Sequence, residues 1–397
     1  MGSERLPRRR SFPTRMVAAT ICMLGVALAL QLLVYGNGGH SSLSDLPGIF
    51  FHRGIRPGAL PYIDRVVEYP VGSGILLYLA TLVAPTPLGV LLVTALGASV
   101  LCVGITIVLE RRCGTRAWRW ALATPVLLFA FQNWDMFAIA ATLGALLAFD
   151  DRRDGVAGGF VAVGAAVKLF PAVLFPLLVA HRLSQGDRRG ATRFALSTGL
   201  VYAALNLPFL VANSSGWWWP MKFQSHRQAT WGSVWFYLYH WFGVPVHGAQ
   251  GASIANVVSL AALSVGLIAL TALTYRRRVE PIAAAAAAVA WFIVCNKVYS
   301  PTYDVWLVVF FVLLPLSRRL WIAFCAVDLA VYIVVFGYFH GLHSIAVVHA
   351  MLPVLVIART LVLGGLILQA TSARTARGLE PRIGAAGRRL SQLHRKG

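Results

Sequence analysis

Long apolar runs, about every second one closed by a short cluster of arginines, recur along this chain from Met16 to Ala370. A water-soluble fold cannot be built on that pattern, because too little polar surface is left to cover the apolar interior. Composition agrees: 58% of residues are hydrophobic and 12% charged, mean hydropathy is +0.70, and an ordinary soluble domain is roughly a quarter charged. The expected fold class is all-α, a polytopic membrane protein. The net charge of +21 does not call for nucleic acid, since arginines that interrupt apolar runs follow the positive-inside rule. The five cysteines lie in apolar runs or a basic loop and form no CxxC pair, so neither disulfides nor a cysteine metal site is expected. Arginine outnumbers lysine 31 to 4, a bias that fits a bacterium of high genomic GC content.

Charge sets the orientation. Residues 1–15 hold Arg5, Arg8, Arg9, Arg10 and Arg15, and the run that follows, Met16–Tyr35, lacks a small-residue cleavage site. An uncleaved first span with a cytoplasmic N-terminus places Gly36–Pro70 outside. The next apolar piece, Val71–Ala84, lies between Pro70 and Pro85 and is too short for a bilayer that needs about 20 residues. It is expected to lie in the membrane plane, because a further crossing would send Arg111, Arg112, Arg116 and Arg119 outward. The remaining spans are expected at Pro87–Leu109, Trp118–Gln132, Met136–Phe149, Val156–Val167, Leu169–Ala180, Phe194–Val211, Ala252–Tyr275, Ile282–Cys295, Val305–Leu316, Leu320–Phe336 and Ile345–Ala370. This gives about twelve spans in a single domain over 16–370, a first outer loop at 36–84, a second at 212–250, and a basic cytoplasmic tail at 371–397. Of the 35 basic residues, only Arg53, Arg56, Arg65, Lys168, Lys222, Arg227 and Lys297 then fall outside, and Arg359 lies within the last span.

This topology gathers the unusual polar residues on one side. They are Asp45, Asp64 and Glu68 of the first outer loop, Asn133 and Asp135, Lys168, Lys222, His226 and Arg227, Asn296 to Pro301, Tyr303 and Asp304, and His340 with His343. Ionisable groups at membrane depth are costly and point to function, and clustered cations beside carboxylates suit an anionic, lipid-linked substrate. Each also has a plainer reading. Asp45 could N-cap a short helix, Asp64 could pair with an arginine, and Asp135 could cap the span after it. Lys168 could snorkel from a helix break. Trp217, Trp218 and Trp219 read as an interfacial aromatic belt, His340 and His343 could be ordinary loop histidines, and Asp328 is expected to bond inside the bundle. No P-loop, GxGxxG, HExxH or GxSxG element occurs, which leaves soluble nucleotide chemistry and zinc hydrolysis without support. A transporter or lipid flippase is the alternative class; it would place polar residues at the midplane and show internal repeats, whereas here only Asp328 and Arg359 are expected to be truly intramembrane.

Several short motifs, in one consistent order, resemble a known family. They are Ser44-Asp45-Leu46, Leu60-Pro61-Tyr62, Glu68-Tyr69-Pro70, Asn133-Trp134-Asp135, Lys168-Leu169-Phe170-Pro171, Arg227 with Ser233, Asn296-Lys297, Ser300-Pro301-Thr302-Tyr303, and Arg359. Together they are similar to the GT-C glycosyltransferases that use polyprenyl-phosphate sugars, in particular glycosyltransferase family 87 and its α-1,2-mannosyltransferases. The resemblance implies an inverting single displacement on the outer face of the cell membrane. The donor would be a polyprenyl-phosphate sugar, most simply mannose, and the acceptor a lipid or glycan hydroxyl. It implies Asp45 as the base, and Lys168, Arg227, Lys297 and His340 as holders of the departing phosphate. Glu68, Tyr69, Asn133, Asp135, Ser300 and Tyr303 would contact the acceptor or support the base. A monophosphate donor requires no bridging metal, and no cofactor is expected. The partners implied are these two substrates and membrane lipids.

Overall fold

The computed structural model describes residues 14–36, 43–245 and 248–372. The basic segments at 1–13 and 373–397, and loop residues 37–42, lie outside the described residues. Every regular element described is helical, and an isolated bridge joins Pro61 and Arg65. In chain order the helices are α1 (Thr14–Gly36), α2 (Asp45–Arg53), α3 (Val71–Val83), α4 (Pro87–Cys113), α5 (Trp118–Ala121), α6 (Thr124–Phe129), α7 (Asp135–Asp150), α8 (Asp154–Val167), α9 (Leu174–Ser184), α10 (Arg188–Ala212), α11 (Ser214–His226), α12 (Val234–Trp241), α13 (Gly248–Tyr275), α14 (Pro281–Cys295), α15 (Val305–Leu313), α16 (Arg318–Phe339) and α17 (Ile345–Thr371).

Two populations of helix divide the architecture. Among the described residues, six helical stretches are long and apolar enough to cross a bilayer: Arg15–Tyr35, Pro87–Ala121, Arg188–Ala212, Gly248–Tyr275, Arg318–Phe339 and Ile345–Thr371. Most of their surface lies outside the packed interior, with Leu200, Val211, Val257, Ile268, Leu361 and Leu368 all exposed. Such an outward apolar face is what lipid requires and water would penalise. The shorter helices fill the inside. All of α15 is buried, and so is nearly all of α14. The alanines from Ala283 to Ala288 let α9, α13, α15 and α17 approach α14 closely, as small residues do in membrane bundles. Gly158 serves the crossing of α8 and α10, where a Cβ would run into the Phe194 carbonyl.

The expectation of about twelve spans therefore meets six full-length ones, and the other expected spans are short or interrupted. Trp118–Gln132 is the clearest case. It breaks at Leu122 and Ala123, because Pro125 lies in the first turn of α6 and cannot donate to a preceding helix. Leu169–Ala180 likewise begins as a 3₁₀ turn, Phe170–Val173, before becoming α9. Val71–Ala84 is a helix, α3, whose buried side packs against α4, α8 and α10.

Candidate active site

The segment between α1 and α3 is anchored through α2. Ser44 is the N-cap of α2, its hydroxyl accepting from the Leu46 amide (3.3 Å) and donating to the carbonyls of Phe131 and Gln132 (3.0 Å each). The Asp45 amide donates to the same Gln132 carbonyl (2.9 Å). Capping thus falls to Ser44, and the Asp45 carboxylate is left for other partners at the favourable N-terminal end of a helix. The Tyr69 hydroxyl donates to its Oδ2 (2.9 Å), with Gln132 Nε2 at 3.4 Å from Oδ1 and Asn133 Nδ2 at 3.5 Å from Oδ2. Burial, and then the Asp45 charge, push the Tyr69 hydroxyl well above the usual tyrosine range, so it stays a neutral donor. Glu68 pairs with Arg53 (2.7 Å). Asp64 does not bond an arginine; it accepts from the Leu60 amide (2.8 Å) and closes a turn.

Lys168 lies over the ring of Tyr69. The chain leaves α8 at Lys168 in an extended conformation, and this helix break turns the side chain inward. Its ammonium lies 4.5 Å from the Tyr69 ring centroid and 3.2 Å from Asp135 Oδ1. That oxygen also accepts from Trp306 Nε1 (2.9 Å), while the Asp135 amide donates to Asn133 Oδ1 (3.0 Å). Asp135 is fully buried and Lys168 nearly so, a pairing that makes an otherwise costly burial tolerable. Trp306 is held by stacking on Phe170 and on Tyr303, each at 4.3 Å.

A cavity of about 290 Å³ opens beside this network. Glu68, Tyr69, Lys168, Lys297 and Tyr303 line its polar part, and Leu169, Leu260, Leu263 and Phe292 its apolar part. Lys297 donates to the Ser225 carbonyl (3.3 Å) and to that of Arg227. Burial first, and Arg227 second, push its ammonium down to about 8. Arg227 caps α11, its guanidinium 5.9 Å from the Phe223 ring. Ser300 N-caps the 3₁₀ turn Pro301–Asp304 and accepts from the Thr302 hydroxyl (3.1 Å). His340 caps the end of α16, and like Asp45, Arg227 and Ser300 it does not line the cavity. A second cavity, of about 270 Å³, lies at the opposite end of α14 and α9, bordered by Arg182, Arg277 and Glu280. Arg182 is committed there to Asp154 (2.7 Å) and the Phe149 carbonyl (2.6 Å).

The structure thus joins Asp45, Tyr69, Asn133, Asp135 and Lys168 in one network, and places Lys297, Glu68 and Tyr303 around the adjoining cavity. Two members were not singled out from the sequence. Gln132 reaches Asp45 while its own Oε1 is buried without a partner; its only signal was adjacency to Asn133. Trp306 reads as one more apolar residue of a span, and nothing local foretells a contact with Asp135. Among the described residues, no group of three or more His, Cys, Asp or Glu is placed to hold a metal ion.

No curated protein matches the chain. A family model does: residues 68–301 match the one described as glycosyltransferase family 87. The match begins at Glu68, so it takes in Tyr69, Asn133, Asp135, Lys168, Arg227, Lys297 and Ser300 but not Asp45, Tyr303 or His340. It covers more than half of a chain whose structure is a helical bundle with six bilayer-length helices, and the chain accordingly belongs to glycosyltransferase family 87, as a membrane glycosyltransferase.

Proposed function

We propose that this glycosyltransferase moves mannose from a polyprenyl-phosphate donor to a hydroxyl of a lipid or glycan acceptor, at the outer face of the cell membrane. One observation carries the reading: a single cavity is lined both by two buried lysines, Lys168 and Lys297, and by the apolar Leu260, Leu263 and Phe292. Leu260 belongs to α13, most of which faces outward. A phosphate with a long hydrocarbon tail fits that combination, since tail and headgroup need opposite environments within one site. Both termini are assigned to the cytoplasm, with 36–84 and 212–250 as the outer loops of one membrane domain over 16–370.

The chemistry is a single displacement. The acceptor oxygen attacks the anomeric carbon as the bond from that carbon to the phosphate oxygen breaks, and the electron pair departs with the polyprenyl phosphate. Asp45 takes the acceptor proton as general base. Tyr69 and Gln132 orient it, and Asn133 supports both Asp45 and Asp135. Lys168 and Lys297, with Arg227 behind Lys297, neutralise charge growing on the phosphate. Glu68, Ser300 and Tyr303 are assigned to the acceptor side. His340 is assigned to the phosphate from the resemblance, and like Asp45, Arg227 and Ser300 it lies off the cavity lining.

A pH profile tests the phosphate assignment. An ordinary lysine titrates near 10.5, and Lys297 is pushed down to about 8. Its charge is therefore present below pH 8 and lost as pH rises through that value. For the donor, kcat/KM, which reports the free enzyme, is expected to fall across the same window. In Lys297→Arg, whose guanidinium stays charged, the fall is expected to vanish. A wild-type profile that stays level through the window would remove Lys297 from the phosphate site.

A further inference from the structure

Two carboxylates and a guanidinium with no part in the chemistry above are buried together where α16, α17 and the Pro301–Asp304 turn meet. Asp304 and Asp328 are each 1% exposed and Arg359 4%; Asp328 lies within α16 and Arg359 within α17. Charges in such a place are expensive and are kept for a task. The obvious task, a closed ion pair, is not what the geometry shows. Arg359 Nε and Nη1, both oxygens of Asp328 and Oδ1 of Asp304 are buried without hydrogen-bond partners. The guanidinium instead lies over the Tyr299 ring, its Cζ 3.4 Å from the centroid, and its Nη2 donates to the Gly232 carbonyl. The Tyr299 hydroxyl donates to Asp304 Oδ2 (2.8 Å), which fixes the ring from the other end.

Gly232 and Tyr299 belong to the two strips of chain that carry the candidate phosphate cations, 227–233 with Arg227 and 296–300 with Lys297. The strips are stitched to each other. The Thr230 amide donates to the Lys297 carbonyl, the Tyr299 amide to the Thr230 hydroxyl, and the Ser233 hydroxyl to the Asn296 carbonyl, each at 3.0 Å. At Gly232 the approach is so close that a Cβ would lie 2.6 Å from Tyr299 Cδ1. One side chain from the last span thus grips both strips at their point of contact. We propose that Arg359 is a positioning residue for the phosphate site: by bridging Gly232 and Tyr299 it sets the spacing of Arg227 and Lys297, and Asp304 and Asp328 hold its charge in place. This rests on the assignment of Arg227 and Lys297 to the donor phosphate. A lysine cannot substitute, because a point-charge ammonium lacks the planar fork that stacks and donates at once.

The test compares wild type with Arg359→Lys, which keeps the buried charge balance. Arg359→Met/Asp328→Asn, which removes the guanidinium together with the Asp328 carboxyl, serves if Arg359→Lys does not fold. Two readouts are taken on the full chain in lipid. Hydrogen exchange at 227–233 and 296–300 reports whether the strips loosen, whatever the donor is. Kinetics with polyprenyl-phosphate mannose report KM against kcat. Expected are faster exchange confined to those strips and a donor KM raised about tenfold or more, as remote misplacement produces, with kcat much less affected. The fall of kcat/KM near pH 8 is expected to move toward the ordinary lysine range as Lys297 loosens. Exchange unchanged in both strips would overturn the positioning role, even if KM rose. Faster exchange with an unchanged donor KM would overturn the link to phosphate, and would locate the failure in the assignment of Arg227 and Lys297.

Discussion

Replacing Asp45 with asparagine is expected to lower transfer by roughly 10²–10⁴-fold, the range for loss of a positioned general base, without unfolding the protein. Asparagine keeps one side-chain oxygen, which can still accept from Tyr69, and gives up the longer contact from Gln132 to the other oxygen (3.4 Å). It also leaves the start of α2 intact, because Ser44 and not Asp45 supplies the cap. What it removes is the proton acceptor. Turnover, thermal unfolding and donor KM measured together check this. The unfolding temperature and donor KM are expected to stay near wild type while kcat collapses, and wild-type kcat would exclude Asp45 as the base.

The second large effect belongs to Lys168, which is asked to do two things. Lys168→Ala leaves the Asp135 carboxylate buried without its cation, with only Trp306 still donating to it. Breaking a buried pair from one side typically costs about 3–5 kcal/mol, so a marked loss of thermal stability is expected. Lys168→Ala/Asp135→Asn removes both charges and is expected to recover most of that stability. Donor use is expected to remain impaired, because the cation beside the cavity is still missing. A double variant with wild-type donor KM would give Lys168 a structural task alone.

The membrane character and all-helical class could be read from the chain because hydrocarbon permits few solutions, and long helices with charged ends are the main one. The helix break at Lys168 and the concentration of polar groups around Asp45, Asn133 and Asp135 were legible for the same reason, since polar residues stand out against an apolar background. Span number was not. Beyond Arg119, Trp118–Gln132 is apolar like Val305–Leu316, and periodicity cannot separate a lipid-facing span from a short helix buried among others; that these pieces are short shows only in three dimensions, at Pro125 and in the tight alanine packing around α14. Side-chain partners were the least accessible. Asp64 lay near arginines in sequence yet bonds the Leu60 amide, and Trp306 meets Asp135 across 171 positions. His340 shared a side of the membrane with the cations in the expected topology, but sidedness does not place a residue in a cavity.

The most direct test of the account offers radiolabelled polyprenyl-phosphate mannose to membranes containing the protein and follows the label by lipid extraction and chromatography. The account predicts label passing to an acceptor in wild-type membranes, with the polyprenyl phosphate released, and no such transfer in membranes carrying Asp45→Asn. Transfer at equal rates from both, or none from wild type while a nucleotide sugar serves as donor, would contradict it.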